Sequence, residues 1–197
     1  MSSPFPKWKQ DLIERLKKEQ RVHNHKLCFI HTPKCGGIYA NQYVNYFTIP
    51  NKGHKQATIS DGITFTIIRH PVDRFESLLN YRLGEAKPRA DWNPNLSYIF
   101  QKPEMTLNEI VEKMSDADIT RFIPYRTLTY WSTNVRILLT MSEFLPFLTQ
   151  FGYKTDIEYP RQNVSPRTRG NLSTETRARI AKLFEKDIKL YELWTRK

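Results

Sequence analysis

The sequence contains no apolar run near the ~18 residues that a membrane span requires. Its first ten residues, MSSPFPKWKQ, lack the apolar h-region of a secretory leader. Neither a spanning segment nor a leader is therefore expected from what the chain contains. Cysteine is scarce, with Cys28 and Cys35 the two present. Two cysteines cannot build a disulfide framework, and their spacing, with no Cys/His pair nearby, fits no zinc pattern. No internal repeat or low-complexity block breaks the chain. Carboxylates are the minority charge: 31 Lys and Arg stand against 20 Asp and Glu, a net charge of +11. A field of that sign favours polyanions such as nucleic acid, an acidic glycan, an anionic lipid surface or a multiply phosphorylated cofactor.

What is present suits one ordinary domain. A chain of 197 residues falls within the ~100–200 typical of a single domain. It can bury roughly 70% of its unfolded surface, so a core forms without disulfides or structural metal. Residues 1–25 are read as an N-terminal helix, with Trp8, Leu12, Ile13 and Leu16 on one stripe of 7–21. Residues 26–31 (KLCFIH) and 63–68 (ITFTII) are short, nearly continuous apolar runs, as expected of parallel strands buried on both faces. Each is followed by turn chemistry and a helical pattern, at 38–47 and 71–83. Pro71 suits a first helical turn. Residues 135–140 predict a third strand. Further helices are expected at 106–115, where Thr106 and Glu109 fit a capping box, at 142–151, and as one long final helix over 173–193. The alternation predicts an α/β domain spanning 1–197, a central parallel β-sheet flanked by helices. Residues 84–105, rich in proline and without periodicity, read as a lid loop.

Two places carry chemistry. Thr32-Pro33-Lys34-Cys35-Gly36-Gly37 lies between a strand and a helix, where open α/β sheets bind ligands. Its glycines let backbone N–H groups approach an anion at a helix N-terminus, and Lys34 adds a cation. Neither GxxxxGK[ST] nor GxGxxG is present. The second place is Arg69, at the end of the next strand, with Ser77 two helical turns beyond and Arg74 sharing its face. An arginine and a hydroxyl near strand ends suit a phosphate monoester.

Together, Pro33-Lys34-Cys35-Gly36-Gly37 and Arg69-x-Pro71-x-x-Arg74-x-x-Ser77 resemble the sulfotransferase family typified by carbohydrate O-sulfotransferases. Asn163-x-Ser165, with Asp187 and Tyr191 in the final helix, resembles the family's C-terminal pattern. The similarity runs from about 26 to 192. It implies the P-loop-NTPase-like sulfotransferase fold. It also implies a donor, 3′-phosphoadenosine 5′-phosphosulfate (PAPS), leaving as 3′-phosphoadenosine 5′-phosphate (PAP), with no metal. The 5′-phosphosulfate would be held by Thr32, Pro33, Lys34, Cys35, Gly36, Gly37, Ile38 and Tyr39. The 3′-phosphate would be held by Arg69 and Ser77, with Ser165 and Arg167 closing over the nucleotide. The family has Thr or Ser just after the glycine pair, where this chain has Ile38 and Tyr39. Either Tyr39 or Thr32 supplies the missing hydroxyl, or backbone N–H groups suffice.

In-line sulfuryl transfer to a hydroxyl needs charge stabilisation, expected from Lys34, and a general base, expected from His54 with His31 as the fallback. Arg89 and Trp92 in the lid, and Arg121 and Tyr125 further on, are the expected acceptor contacts. The acceptor is expected to be an acidic or neutral glycan. Two other readings stand beside this one: a nucleotide-binding homologue impaired in catalysis, and a basic nucleic-acid-binding module. A phosphoryl transferase is disfavoured by the missing Walker pair. The expected location is soluble and cytoplasmic, or the Golgi lumen for a domain trimmed from an anchored protein. The sequons at Asn95, Asn163 and Asn171 matter only in a secretory pathway.

Overall fold

The computed structural model describes residues 3–83, 104–122, 127–160 and 170–196. The chain divides into two compact units. The first comprises Met1–Arg69, Leu128–Asn163 and Leu190–Lys197, and the second His70–Thr127 and Val164–Lys189. Most of the lid loop expected at 84–105, with Arg89 and Trp92, lies outside the described residues, as do Tyr125, Ser165 and Arg167.

The first unit is built on three short parallel strands, β1 (Leu27–Ile30), β2 (Ile63–Ile67) and β3 (Ile137–Leu139), in the order β1-β2-β3. Leu27 pairs with Ile63, and Phe65 in turn with Ile137. Every residue of the three strands is buried. The alternation of side chains divides them between two faces. Leu27, Phe29, Ile63, Phe65, Ile67, Ile137 and Leu139 face one core. There they meet Ile13 and Leu16 of α1 (Lys7–His23), Ala40 and Val44 of α2 (Gly37–Tyr46), and Phe144 and Phe147 of α7 (Met141–Gln150). On the other face Leu138 and Ile68 pack with Leu128, Leu190, Tyr191 and Trp194. Thr64 and Thr66 on these strands are buried polar residues, and both hydroxyls are satisfied: Thr64 donates to the Asn134 carbonyl and Thr66 to the Ile30 carbonyl. The sheet is therefore covered on both sides, as its unbroken apolar runs require.

A fourth parallel strip adjoins β1 on the side away from β2. Phe29 N–H donates to Pro50 O (2.8 Å), Lys52 N–H to Phe29 O (3.0 Å) and His31 N–H to Gly53 O (3.1 Å). A single parallel bridge joins Phe29 and Asn51. Pro50 has no N–H to give, which limits this strip to a sheet edge. The chain thus leaves β1, passes through α2 to one side of β1, and returns to β2 on the other side.

The second unit is helical among its described residues. It contains α3 (Pro71–Leu83), α4 (Leu107–Lys113), α5 (Asp116–Phe122) and α8 (Thr174–Leu183). Phe75, Leu79, Leu107, Ile110, Ile180 and Phe184 lie in its core. The expected capping box of Thr106 and Glu109 is formed. The single final helix expected over 173–193 is instead two, α8 and α9 (Glu185–Thr195), separated at Phe184 (φ −107°, ψ 28°). Phe184 is buried with Phe75, whereas Leu190, Tyr191 and Trp194 of α9 pack in the first unit. One straight apolar stripe does not serve both cores. The short helices α5 and α6 (Leu128–Trp131) were not expected. In front of α5, Ser115 and Asp118 form a reciprocal cap, with Asp118 N–H donating to Ser115 Oγ and Ser115 N–H to Asp118 Oδ2 (both 3.1 Å).

Candidate functional site

Three adjacent parallel segments end on the same side of the sheet. The edge strip ends at His54, β1 runs into the 32–36 turn, and β2 runs into Ile68 and Arg69. Successive connections leave β1 on opposite sides, which makes its carboxyl end a topological switch point, where open parallel sheets have a crevice for ligands. Lys34, Arg69 and His54, singled out from sequence, therefore stand on neighbouring segment ends within one unit.

The turn has an unusual backbone. Lys34 (φ +62°) and Gly36 (φ +86°) both adopt left-handed conformations. Gly36 is the N-cap of α2, directly before the helical Gly37. A left-handed residue followed by a right-handed one turns successive N–H groups toward a common point, an anion-binding arrangement. The N-cap residue gives this helix no side-chain cap, and its first turn holds no acidic residue, so the helix itself places no carboxylate at the positive end of its dipole. The glycines also have packing reasons. A Cβ on Gly37 would fall 1.9 Å from His31 Nε2, and one on Gly36 would fall 1.9 Å from the flexible Met141 Cε.

The side chains in the turn divide by direction. Cys35 is buried in the core. Neither cysteine is disulfide-bonded, and both are buried; burial first, then Asp61, pushes the Cys28 thiol up to about 11, far from a reactive thiolate. Pro33 is buried and Ile38 exposed at the helix start. The two hydroxyls considered as replacements for the family's Thr or Ser are engaged elsewhere. Thr66 donates to the Ile30 carbonyl at 2.6 Å, so the 2.8 Å contact between Thr32 and Thr66 must use the Thr32 proton. Likewise Tyr43 donates to the Ile157 carbonyl at 2.8 Å, so Tyr39 donates to Tyr43 at 3.1 Å. In this arrangement the protons of both hydroxyls are directed to neighbouring hydroxyls.

His54 is placed by the turn that ends the edge strip. Gly53 (φ +57°) donates to Asn51 Oδ1 at 2.8 Å, and Asn51 in turn donates to Asn41. Beyond it, Lys52 pairs with Asp61 at 2.7 Å and Gln56 donates to the Tyr130 carbonyl at 2.9 Å. The His54 ring is exposed, at 4.3 Å from the half-buried His31 ring and 6.3 Å from Trp131. Burial, then the neighbouring His54, pushes His31 down to about 4. His31 is thus neutral near pH 7.

In the second unit Ser77 is half-buried on α3, and Arg74 is buried. Asp73 and Glu76 pair with Arg177 of α8. Arg121 is exposed at the end of α5. What sequence reasoning missed was the edge strip. Its signal was Pro50 followed by Asn51 and Gly53, too short to carry a hydrophobic period. Among the described residues no helix is long and apolar enough to cross a membrane.

Neither a family model, nor a curated protein, nor a solved structure matched this chain in comparisons with known proteins.

Proposed function

We propose that the protein is a PAPS-dependent sulfotransferase with the P-loop-like fold of that family, acting on a carbohydrate hydroxyl. The observation that carries the reading is the switch point: Lys34, Arg69 and His54 stand at the ends of three adjacent parallel segments, beside a helix N-terminus whose N-cap residue gives no side-chain cap. The motifs that suggested the family and the switch point of the sheet support the same reading. PAPS, when bound, supplies the activated sulfuryl group. The N–H groups of Gly36, Gly37 and Ile38 would hold its 5′ phosphosulfate. Lys34 would neutralise charge on the departing phosphate side. Arg69 would contact the 3′-phosphate as a bidentate fork, with Ser77, Ser165 and Arg167 as further contacts. His54 would take the proton of the acceptor hydroxyl, a contribution of ~10²–10⁴ in rate. Arg89, Trp92, Arg121 and Tyr125 would line the acceptor path. Up to about two charges per phosphate monoester make the donor a strong anion, which suits a chain of net charge +11.

The test is thermal unfolding with PAP, with ADP and a short duplex DNA as controls. At ~100 times its dissociation constant a ligand adds ~2.7 kcal/mol, a rise of roughly 5–10 °C at this size. A rise with PAP but not ADP, lost in Lys34→Ala and weakened in Arg69→Ala, is expected. A rise with DNA alone refutes the reading in favour of the basic binding module. PAP binding without transfer to any glycan hydroxyl marks the impaired homologue. The engaged hydroxyls of Thr32 and Tyr39 favour that second reading over the nucleic-acid one.

A further inference from the structure

His54 does not stand alone. Its ring and that of His31 are 4.3 Å apart, their planes inclined by 37°. His54 Nδ1 lies 3.0 Å from the His31 carbonyl oxygen. A carbonyl oxygen only accepts, so Nδ1 must carry a proton. In a neutral imidazole Nε2 is then the basic nitrogen. The His31 ring also stacks on Phe29, with centroids 6.1 Å apart. Its Nε2 edge abuts Gly37 so closely that the Cβ of any other residue would meet it at 1.9 Å. Gly37 is the first residue of α2. One side chain therefore touches both the candidate base and the first turn of the candidate anion cradle.

Resting on the sulfuryl-transfer reading, we propose that His31 is a positioning residue. Its carbonyl selects the Nδ1–H tautomer of His54. Its ring fixes the orientation of the His54 ring. Its far edge keys that ring to Gly37, so that base and cradle keep one spacing. The depressed basicity of His31, caused by burial and then by His54, agrees with this: near pH 7 it sets no charge against the base. The role asks for a flat ring of this size at position 31 and for no side chain at position 37.

The experiment reads the imidazole nitrogens of the full chain by long-range ¹H–¹⁵N spectroscopy, with no nucleotide or acceptor present. The wild type is expected to show His54 as the Nδ1–H tautomer. Both variants keep the main-chain carbonyl of residue 31 and differ in the ring: His31→Ala, which frees the His54 ring to turn away from that carbonyl, is expected to give an averaged pair of tautomers, and His31→Phe, which restores a flat ring, to retain the single form. A wild-type His54 protonated on Nε2 overturns the proposal, and so does a His54 signal unmoved by His31→Ala. In transfer assays His31→Ala should lower kcat by about 10²-fold, the usual effect of a small misplacement, with KM for the donor little changed. His31→Phe should restore most of that loss. Equal loss in both variants, with unchanged spectra, refutes a positioning role. If PAP fails to bind the wild type, the sulfotransferase reading falls, and the spectra still decide the link between His31 and His54.

Discussion

Lys9 is the least expected residue in the first unit. It lies on the apolar side of α1, fully buried, with its ammonium 2.7 and 2.9 Å from the two carboxylate oxygens of Glu143. The rings of Trp8 and Trp194 lie 5.4 and 5.9 Å from Nζ. Burial pushes the Lys9 amine down, and Glu143 opposes that shift by hydrogen bond and by charge. Glu143 also closes the first turn of α7, accepting from Thr140 N at 2.7 Å and from Thr140 Oγ1 at 3.0 Å. Glu143→Gln keeps a side chain able to serve the cap but withdraws the charge that compensates Lys9. Breaking one side of a buried pair costs roughly 3–5 kcal/mol. For a chain of this size each kcal/mol moves Tm by about 2–4 °C, so a fall of roughly 6–20 °C is expected. Lys9→Met should cost less, because Glu143 keeps its Thr140 partners. The double variant Lys9→Met/Glu143→Gln should recover much of the loss, since replacing both charges is often near neutral. Urea unfolding followed by tryptophan fluorescence gives the double-mutant cycle. Trp8 and Trp194, in edge contact at 5.5 Å, report this locality. A Glu143→Gln variant within about 1 kcal/mol of wild type, or a double variant equal to the sum of the singles, would refute the reasoning.

Acid should destabilise the first unit through His31. Its folded value is lowered to about 4 from the ordinary 6.5, so the unfolded chain binds more protons between those values. The contribution, roughly 3 kcal/mol, is complete above about pH 6.5 and lost as pH falls toward 4; His31→Phe should flatten that window in a pH series of urea melts. Gly62 (φ +77°) has the Lys26 carbonyl oxygen 2.7 Å from where a Cβ would stand, so Gly62→Ala should cost ~1–3 kcal/mol; an unchanged urea midpoint would contradict it. Arg177 bridges Asp73 and the buried Glu76. Arg177→Ala should lower stability by ~1–3 kcal/mol and loosen hydrogen-exchange protection in α3 and α8, an effect expected to vanish in Arg177→Ala/Glu76→Gln. Under the proposed sulfuryl transfer, Lys34→Ala should nearly abolish the reaction and His54→Ala should lose rate while sparing PAP binding; wild-type turnover in the His54 variant would remove that residue from the role of base.

The strands and the helices after them were legible because burial on both faces writes itself as unbroken apolar runs, LCFI and ITFTI, and because Gly36, Pro71 and Thr106 are local stop and start signals. What was not legible depends on partners far along the chain. Lys9 reads as one more cation on a basic helix, and only Glu143, 134 positions away, makes it a core residue. The break at Phe184 likewise is invisible in a helical period that continues on both sides of it. The period reports that Ile180, Phe184, Ile188 and Tyr191 share a stripe, but not that they serve separate cores.

For the candidate site the limit was different. The residue types at the turn were readable, and the missing hydroxyl after the glycine pair was visible as Ile38 and Tyr39. Which group replaces it was a matter of proton counting, and that needs coordinates: each threonine or tyrosine hydroxyl has one proton to donate, and Thr66 and Tyr43 direct theirs to backbone carbonyls. The protons of Thr32 and Tyr39 are thereby committed to Thr66 and Tyr43. The edge strip adds the other missing piece. Without the Phe29–Pro50–Lys52 hydrogen bonds the sheet order is a simple β1-β2-β3 progression, with no reversal and no reason for a crevice at β1. With them, the connection crosses over β1, and the topological switch point falls between β1, which runs into the turn that carries Lys34, and β2, which runs into Arg69. A four-residue strip beginning with proline, too short to be read as a strand, thus sets where the strand order of the sheet reverses.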